Sequence, residues 1–305
     1  MARFLARRLL ETLLVIYLAL TAVFFMLHLT GDPVLLFMPT DALPQQIEQV
    51  RQEMGFNDPV IVQYGRFIGK AVSGDFGQSL RYQEPAMGLL LERYPATMEL
   101  ALSSLLLSLV IAIPAGVIAA ARRNGVYDGV ATVLSVAGQA IPGFWLGIVC
   151  IVFFSAKLGW LPTSGRGGLD HLIMPAATLA AYTGARFVRI TRSTVLDVLS
   201  QDYIRTARAK GLADNRVLFK HALKNAAIPI LTLLGLQVGQ LLGGAVVTET
   251  VFAWPGVGRL IVQALLNRDF PLVIAGVFTI ATFVALINLV VDISYSAVNP
   301  QVRYA

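Results

Sequence analysis

The side chains of this chain that could do acid–base or nucleophilic chemistry are few and scattered. Its three histidines, His28, His171 and His221, fall in different regions, and no HExxH pair occurs. No serine or aspartate in the apolar stretches stands in a named catalytic spacing. The single cysteine, Cys150, lies in an apolar run. It can form no intrachain disulfide and no cysteine metal site, and reads as a small hydrophobe. No G-x-x-x-x-G-K-S/T phosphate loop is present, so ATP hydrolysis is not expected of this chain. The pattern predicts no catalytic residue, no metal ligand and no cofactor bound by the chain itself. What remains is recognition by polar side chains inside apolar runs, chiefly Gln139, Gln237 and Gln240, with Pro142 beside the first. Gln237 and Gln240 are three apart and share a helix face. Such residues either line a solute path or hydrogen-bond one helix to another, and their types alone leave both readings open.

The elements that must position these residues are membrane spans. Of 305 residues, 56% are hydrophobic and only 14% charged, against about a quarter charged in a soluble domain. Mean hydropathy is +0.69. An all-α polytopic membrane protein is expected. Six spans are predicted: Leu9–Leu29, Thr97–Ala121, Ala131–Phe154, Leu172–Ile190, Ile228–Val247 and Leu272–Ile293. Pro142 and Gly143 interrupt the third, and Pro175 lies near the start of the fourth. The apolar run after the basic start is longer than a signal-peptide core and lacks an evident cleavage site, so it reads as an uncleaved first span.

Net charge is +6, but the basic residues flank apolar runs. That placement fits membrane orientation rather than a nucleic-acid face. Arg3, Arg7, Arg8, Arg122, Arg123, Arg186, Arg189, Arg192, Arg205, Arg208, Lys210, Arg216, Lys220, Lys224 and Arg303 are fifteen of the twenty-four Lys and Arg, and all fall on one face of the predicted topology. The positive-inside rule makes that face cytoplasmic and puts both termini there. The expected organisation is a first span (1–29), an extracytoplasmic segment (30–96), a five-helix core (97–293) and a cytoplasmic tail (294–305). The segment 30–96 reads as a small structured cap. It has Ile47, Val50 and Met54 at helical spacing, a second short helix after Pro59, and a turn at Gly74–Gly77. Glu11 is one turn from Arg7 and Arg8 and is expected to pair with them. Glu99, Glu249 and Asp292 fall near span ends, where charge is tolerated.

Between the fourth and fifth spans, residues 191–228 form a basic cytoplasmic loop. Helix-forming residues run to Lys210, Gly211 suits a left-handed C-cap, and Asp214 is placed to cap a second helix. Pro229 is expected to mark the start of the fifth span. Tyr203, Ile204, Ala207 and Leu212 make an apolar ridge, which a lipid surface or a partner's groove could receive.

The stretch DYIRTARAKGL followed by HALKNAAIP resembles the cytoplasmic coupling loop of permease subunits in bacterial ATP-binding-cassette importers, the dipeptide, oligopeptide, glutathione and nickel group above all. RRLLETLLV, GDFGQS, ERYPATMEL, LGWLPTSG, FAWPGVGRLIV, NRDFPLV and NLVVDISYSAVNPQVRY look like the same group and extend the resemblance over essentially the whole chain. In the wider superfamily a Glu-Ala-Ala motif precedes a glycine by three residues. Gly211 and Ala207 match it, while Arg205 and Thr206 stand in place of the glutamate and first alanine.

The resemblance implies a permease subunit in the bacterial inner membrane. It implies as partners a second related permease, two ATPase subunits that bind ATP and Mg, and an extracytoplasmic solute-binding protein. Membrane lipid is a further partner, and nucleic acid is not expected. Asp202, Tyr203, Ile204, Arg205, Thr206, Ala207, Arg208, Ala209, Lys210, Gly211 and Leu212 would carry the coupling. Trp254, Pro255 and Gly256 would form a turn near the outer mouth, with an interfacial tryptophan as the plainer reading. An ion-coupled secondary transporter is disfavoured because no acid or histidine sits clearly mid-span. Peptides or glutathione are the expected solutes, ahead of nickel chelates or opines.

Overall fold

The computed structural model describes residues 2–29, 34, 43–53 and 56–298. Met54 and residues 299–305 of the expected tail, with Arg303, lie outside the described residues. The described chain is helical throughout and contains no strand, only an isolated bridge between Gln78 and Pro85. It divides into two compact units, one of residues 1–96 with 255–289 and one of residues 97–254 with 290–305.

The first unit contains α1 (Ala2–Leu29), α2 (Pro44–Glu53), α3 (Val60–Val72), the start of α4 (Ala86–Ala121), α11 (Val257–Leu266) and most of α12 (Phe270–Val298). Its core is Ala86, Leu90, Val257, Leu260, Ala264, Leu272 and Ala275, with Phe76, Tyr94 and Ile280 packed on it. Alanine at the close contacts lets the helices approach, as membrane helices require. α2 and α3 are the two short helices expected in the cap. The Tyr64 ring of α3 meets Phe24 at 5.2 Å, and its hydroxyl bonds Thr21 at 2.7 Å. His28 Nε2 reaches Gln63 Oε1 at 3.2 Å. Gly74 and Gly77 take φ of +76° and +81°, the turn that their side-chain-free backbone permits.

The second unit holds the rest of α4, then α5 (Val126–Ala140), α6 (Gly143–Cys150) with a π turn to Lys157, and α7 (Leu169–Leu199). α8 (Asp202–Ala209), α9 (Asp214–Arg216) with a π turn to Ala222, and α10 (Leu223–Val251) complete it. α7 packs against both α5 and α10.

Among the described residues four stretches are long and apolar enough to cross a bilayer: Ala6–Met26, Ala86–Ala121, Asp214–Leu241 and Phe270–Val291. The third expected span is not straight. α5 and the α6 segment meet at 103°. Ile141, before Pro142, is pushed out of the helical region to ψ 123°, which ends α5 at Ala140. Counted as one span, the bent pair makes five. The fourth expected span falls in α7, whose 31 residues are long enough at about 46 Å, but α7 is not among the stretches apolar enough to cross. Its C-terminal half carries Arg186, Arg189 and Arg192, which set it apart from the four apolar stretches in composition. Several boundaries differ from expectation, and α4 begins at Ala86, eleven residues before the expected start of the second span at Thr97. Pro229 lies inside α10, which is already helical from Leu223. α12 runs on to Val298, past the expected end at residue 293.

Candidate functional site

Two clusters in the second unit bring the singled-out residues together. The first is the loop after α7. Gln201 is extended, and α8 then runs over Asp202–Ala209. Its end is a Schellman motif: the Leu212 N–H donates to Ala207 O at 3.4 Å and the Gly211 N–H to Arg208 O at 2.9 Å. Gly211 sits at φ +73°, as its expected cap role demands. Asp214 does not cap. Ala213 is the N-cap, and Asp214 is the first helical residue, 3.7 Å from Arg208. An acid there still faces the positive helix end, which is why the type suits either position.

The expected apolar ridge divides. Ile204 and Ala207 are buried at 0% and 8% exposure, and α8 packs on the π turn whose Val217 and Ala222 are wholly buried. They anchor the helix to its own chain. Tyr203 stays 42% exposed, with its hydroxyl accepting from Asn225 Nδ2 at 2.7 Å. Leu212 is half-buried. Asp202, Arg205, Thr206, Arg208, Ala209, Lys210 and Gly211 face outward. The outward face is therefore basic and polar, and among the described residues Arg205 is steered only by Asp202 at 3.7 Å, an exposed pair of little energy.

The second cluster gathers the three glutamines around α7. Tyr182, Arg186 and Arg189 stand at i, i+4 and i+7, one helix face. Arg186 Nη1 donates to Gln240 Oε1 at 2.8 Å and Gln237 Oε1 at 3.3 Å. Its Nη2 donates to the Tyr182 hydroxyl at 2.7 Å, and the guanidinium carbon lies 4.7 Å from that ring's centre. Arg189 Nη1 donates to Gln139 Oε1 at 3.2 Å, and Gln139 Nε2 donates to Ser135 O. Gln139 and Pro142 flank the bend between α5 and α6. Gln237 and Gln240 are thus held by Arg186 and Gln139 by Arg189, two arginines of one helix face whose position in the sequence points only to orientation.

Trp254 is wholly buried, and its backbone N–H donates to the Glu249 backbone carbonyl at 2.8 Å. Glu249, expected at a tolerant span end, is also wholly buried and accepts from Thr97 Oγ1 at 2.6 Å. Pro255 and Gly256 lead into α11, with Gly256 its N-cap. Ser108 bonds across to Ala180 O at 3.2 Å, as a helix-packing serine should. Glu11 pairs with Arg7 at 2.9 Å and Arg8 at 3.0 Å.

Two polar knots had no signal in the sequence because their partners are far apart in it. Arg192 grips Asp128, and Asp128 also accepts from the Asn124 N–H at 2.9 Å. Asp269 accepts from Ser79 Oγ and from the N–H groups of Leu80 and Arg81. Among the described residues no group of His, Cys, Asp and Glu is placed to hold a metal ion.

Residues 112–304 match the family model described as binding-protein-dependent transport system inner membrane component, and residues 1–101 match the model of its N-terminal part. The glutathione transport system permease proteins GsiC of Escherichia coli K12 and of Shigella dysenteriae serotype 1 are each 42% identical over 305 residues, all of both chains. An inward-facing structure of the MetNI methionine ABC transporter matches with a TM-score of 0.57 at 21% identity, covering 70% of this chain and 97% of that one. At that identity the likeness is one of fold.

Proposed function

This chain belongs to the family of binding-protein-dependent transport system inner membrane components, and from that premise we propose that it forms half of the path by which an ATP-binding-cassette importer carries short peptides, glutathione first among them, across the cytoplasmic membrane. The glutathione permeases it matches along its full length support that cargo. A second related permease completes the path. Two ATPase subunits bind ATP and Mg, and an extracytoplasmic solute-binding protein delivers the solute. The chain itself hydrolyses nothing.

The observation that carries this reading is α8. It is a short helix held to its own chain by Ile204 and Ala207, ended by a glycine turn, and presenting Tyr203, Arg205, Arg208 and Lys210 outward. A helix so anchored moves as one body with α7 and α10. An ATPase surface with acidic groups would receive its basic face, and closure of the ATPases on ATP would shift it. The spans would then exchange outward for inward access, a two-state equilibrium biased by nucleotide. Both termini and this loop lie in the cytoplasm on the distribution of Lys and Arg. Trp254, Pro255 and Gly256 fall at the opposite side in this topology, near the outer mouth.

The test is reconstitution of the chain with its partner permease, ATPases and binding protein in proteoliposomes. ATP-dependent, vanadate-sensitive uptake of radiolabelled glutathione is expected. Uptake driven by a proton gradient without ATP would overturn the mechanism, and ATP-dependent uptake of a nickel chelate but no peptide would overturn the cargo.

A further inference from the structure

We propose that Arg186, with Gln237 beside it, is a carboxylate-binding site in the solute path, taking the ionised carboxylate of the peptide in transit; this rests on the importer reading above. Three of the five guanidinium N–H groups are engaged by Gln237, Gln240 and Tyr182. Those acceptors are neutral. They fix the plane of the guanidinium and leave its charge whole. Among the described residues the other two N–H groups, on Nε and Nη2, have no acceptor, and no carboxylate pairs with Arg186 or Arg189.

Gln237 supplies an independent sign. It is 2% exposed, its Oε1 accepts from Arg186, and its Nε2 is buried with no partner. Buried amide donors are almost always satisfied, so Gln237 is held beside Arg186 with a donor to spare. The unmet groups on Arg186 and Gln237 are all donors. What completes them is an acceptor-only group, and the cation makes it an anion. A carboxylate, with two oxygens and about four lone-pair directions, fits the free edge of a planar guanidinium.

Arg186 is half-buried, while Tyr182 and Gln240 are exposed on the surface of this chain. A cation in a span faces a bundle interior or a watery cavity rather than lipid, so this face of α7 lines the path. Arg189, three residues on and held by Gln139, extends the positive strip toward the cytoplasmic end. A passing carboxylate is held by donors positioned in advance and released because the site is open on one side.

The experiment compares Arg186→Gln, Arg186→Lys and wild type in the reconstituted importer, reading glutathione uptake per ATP hydrolysed and recovery of the partner permease on purification. Arg186→Gln is expected to lower uptake per ATP about tenfold or more, the loss of a charge-assisted hydrogen bond. Arg186→Lys keeps the charge and is expected to restore a substantial share. Unchanged uptake in Arg186→Gln, or a lysine variant no better than the glutamine one, overturns the proposal. Loss of the partner permease from the Arg186→Gln complex also overturns it, because the missing anion is then a carboxylate of that subunit. Parallel vesicles of phosphatidylcholine alone and with phosphatidylglycerol separate an anionic lipid headgroup from the cargo; a defect confined to the anionic vesicles overturns the assignment. Failure of wild type to take up glutathione at all is read before any variant is compared, and refutes the cargo reading together with this site.

Discussion

Arg192 donates to both carboxylate oxygens of Asp128, with Nη2 2.7 Å from Oδ2, and so ties the end of α7 to the start of α5. The Asp128 side chain is only 6% exposed and Arg192 29%, so the pair is shielded from the screening that weakens surface ion pairs. Asp128→Ala leaves the guanidinium and the Asn124 N–H without their acceptor. A loss of about 1.5–3 kcal/mol is expected, the usual worth of a hydrogen bond to a charged group. It should appear as a lowered Tm of the purified importer. Arg192→Lys cannot make the two-pronged bond and should recover only part. An unchanged Tm in Asp128→Ala would mean that the two helices are held elsewhere.

Gly211 takes φ +73°, and an added Cβ there would meet no atom within 4 Å. Its requirement is therefore conformational and not steric contact with a neighbour. Gly211→Val is expected to break the Schellman end of α8, at about 1–2 kcal/mol or more. In the importer, ATP hydrolysis should persist while uptake falls. Gly211→Asn should keep most of the uptake, since asparagine tolerates this region of φ and ψ. Wild-type uptake by the valine variant would sink the role assigned to α8.

Gly116 of α4 is close to α7. A Cβ on it would stand 2.7 Å from Thr191 Cβ and 2.9 Å from Val188 O. The backbone oxygen cannot swing aside, so Gly116→Ala should force the helices apart at about 1–3 kcal/mol. Gly69 of α3 has nothing within 4 Å. Gly69→Ala should be neutral or stabilise by up to about 1 kcal/mol through helix propensity. Thermal unfolding of the two variants side by side checks the contrast, and equal effects would refute it.

Asp269 is 1% exposed and holds the 79–82 turn by accepting from Ser79 Oγ, Leu80 N and Arg81 N. Asp269→Ala removes all three acceptor contacts. The turn should open, and trypsin should cleave after the exposed Arg81 several times faster than in wild type. Cleavage at the wild-type rate would show that the isolated bridge between Gln78 and Pro85 holds the turn unaided.

Much of this protein was legible because it depends on neighbours in the chain. Apolar runs marked α1, α4, α10 and α12. The ridge at Tyr203, Ile204, Ala207 and Leu212 was visible, but not that its buried members face their own chain. The break at Pro142 was readable as an interruption. That it turns the chain by 103° was not, because a proline forbids one conformation of Ile141 without choosing how the next helix leaves.

The amino-acid sequence by itself determined the helical membrane class and the glycine turn at Gly211, since hydropathy and φ preference are properties of single residues and short windows. Only the tertiary structure decided which polar groups meet. Arg186 reaches Gln237 and Gln240 more than fifty residues away, and Arg192 reaches Asp128 across 64. Those encounters depend on the side-by-side packing of α5, α7 and α10, which local preference does not specify. That packing makes α7 more than an apolar rod, with arginines that bind its neighbours.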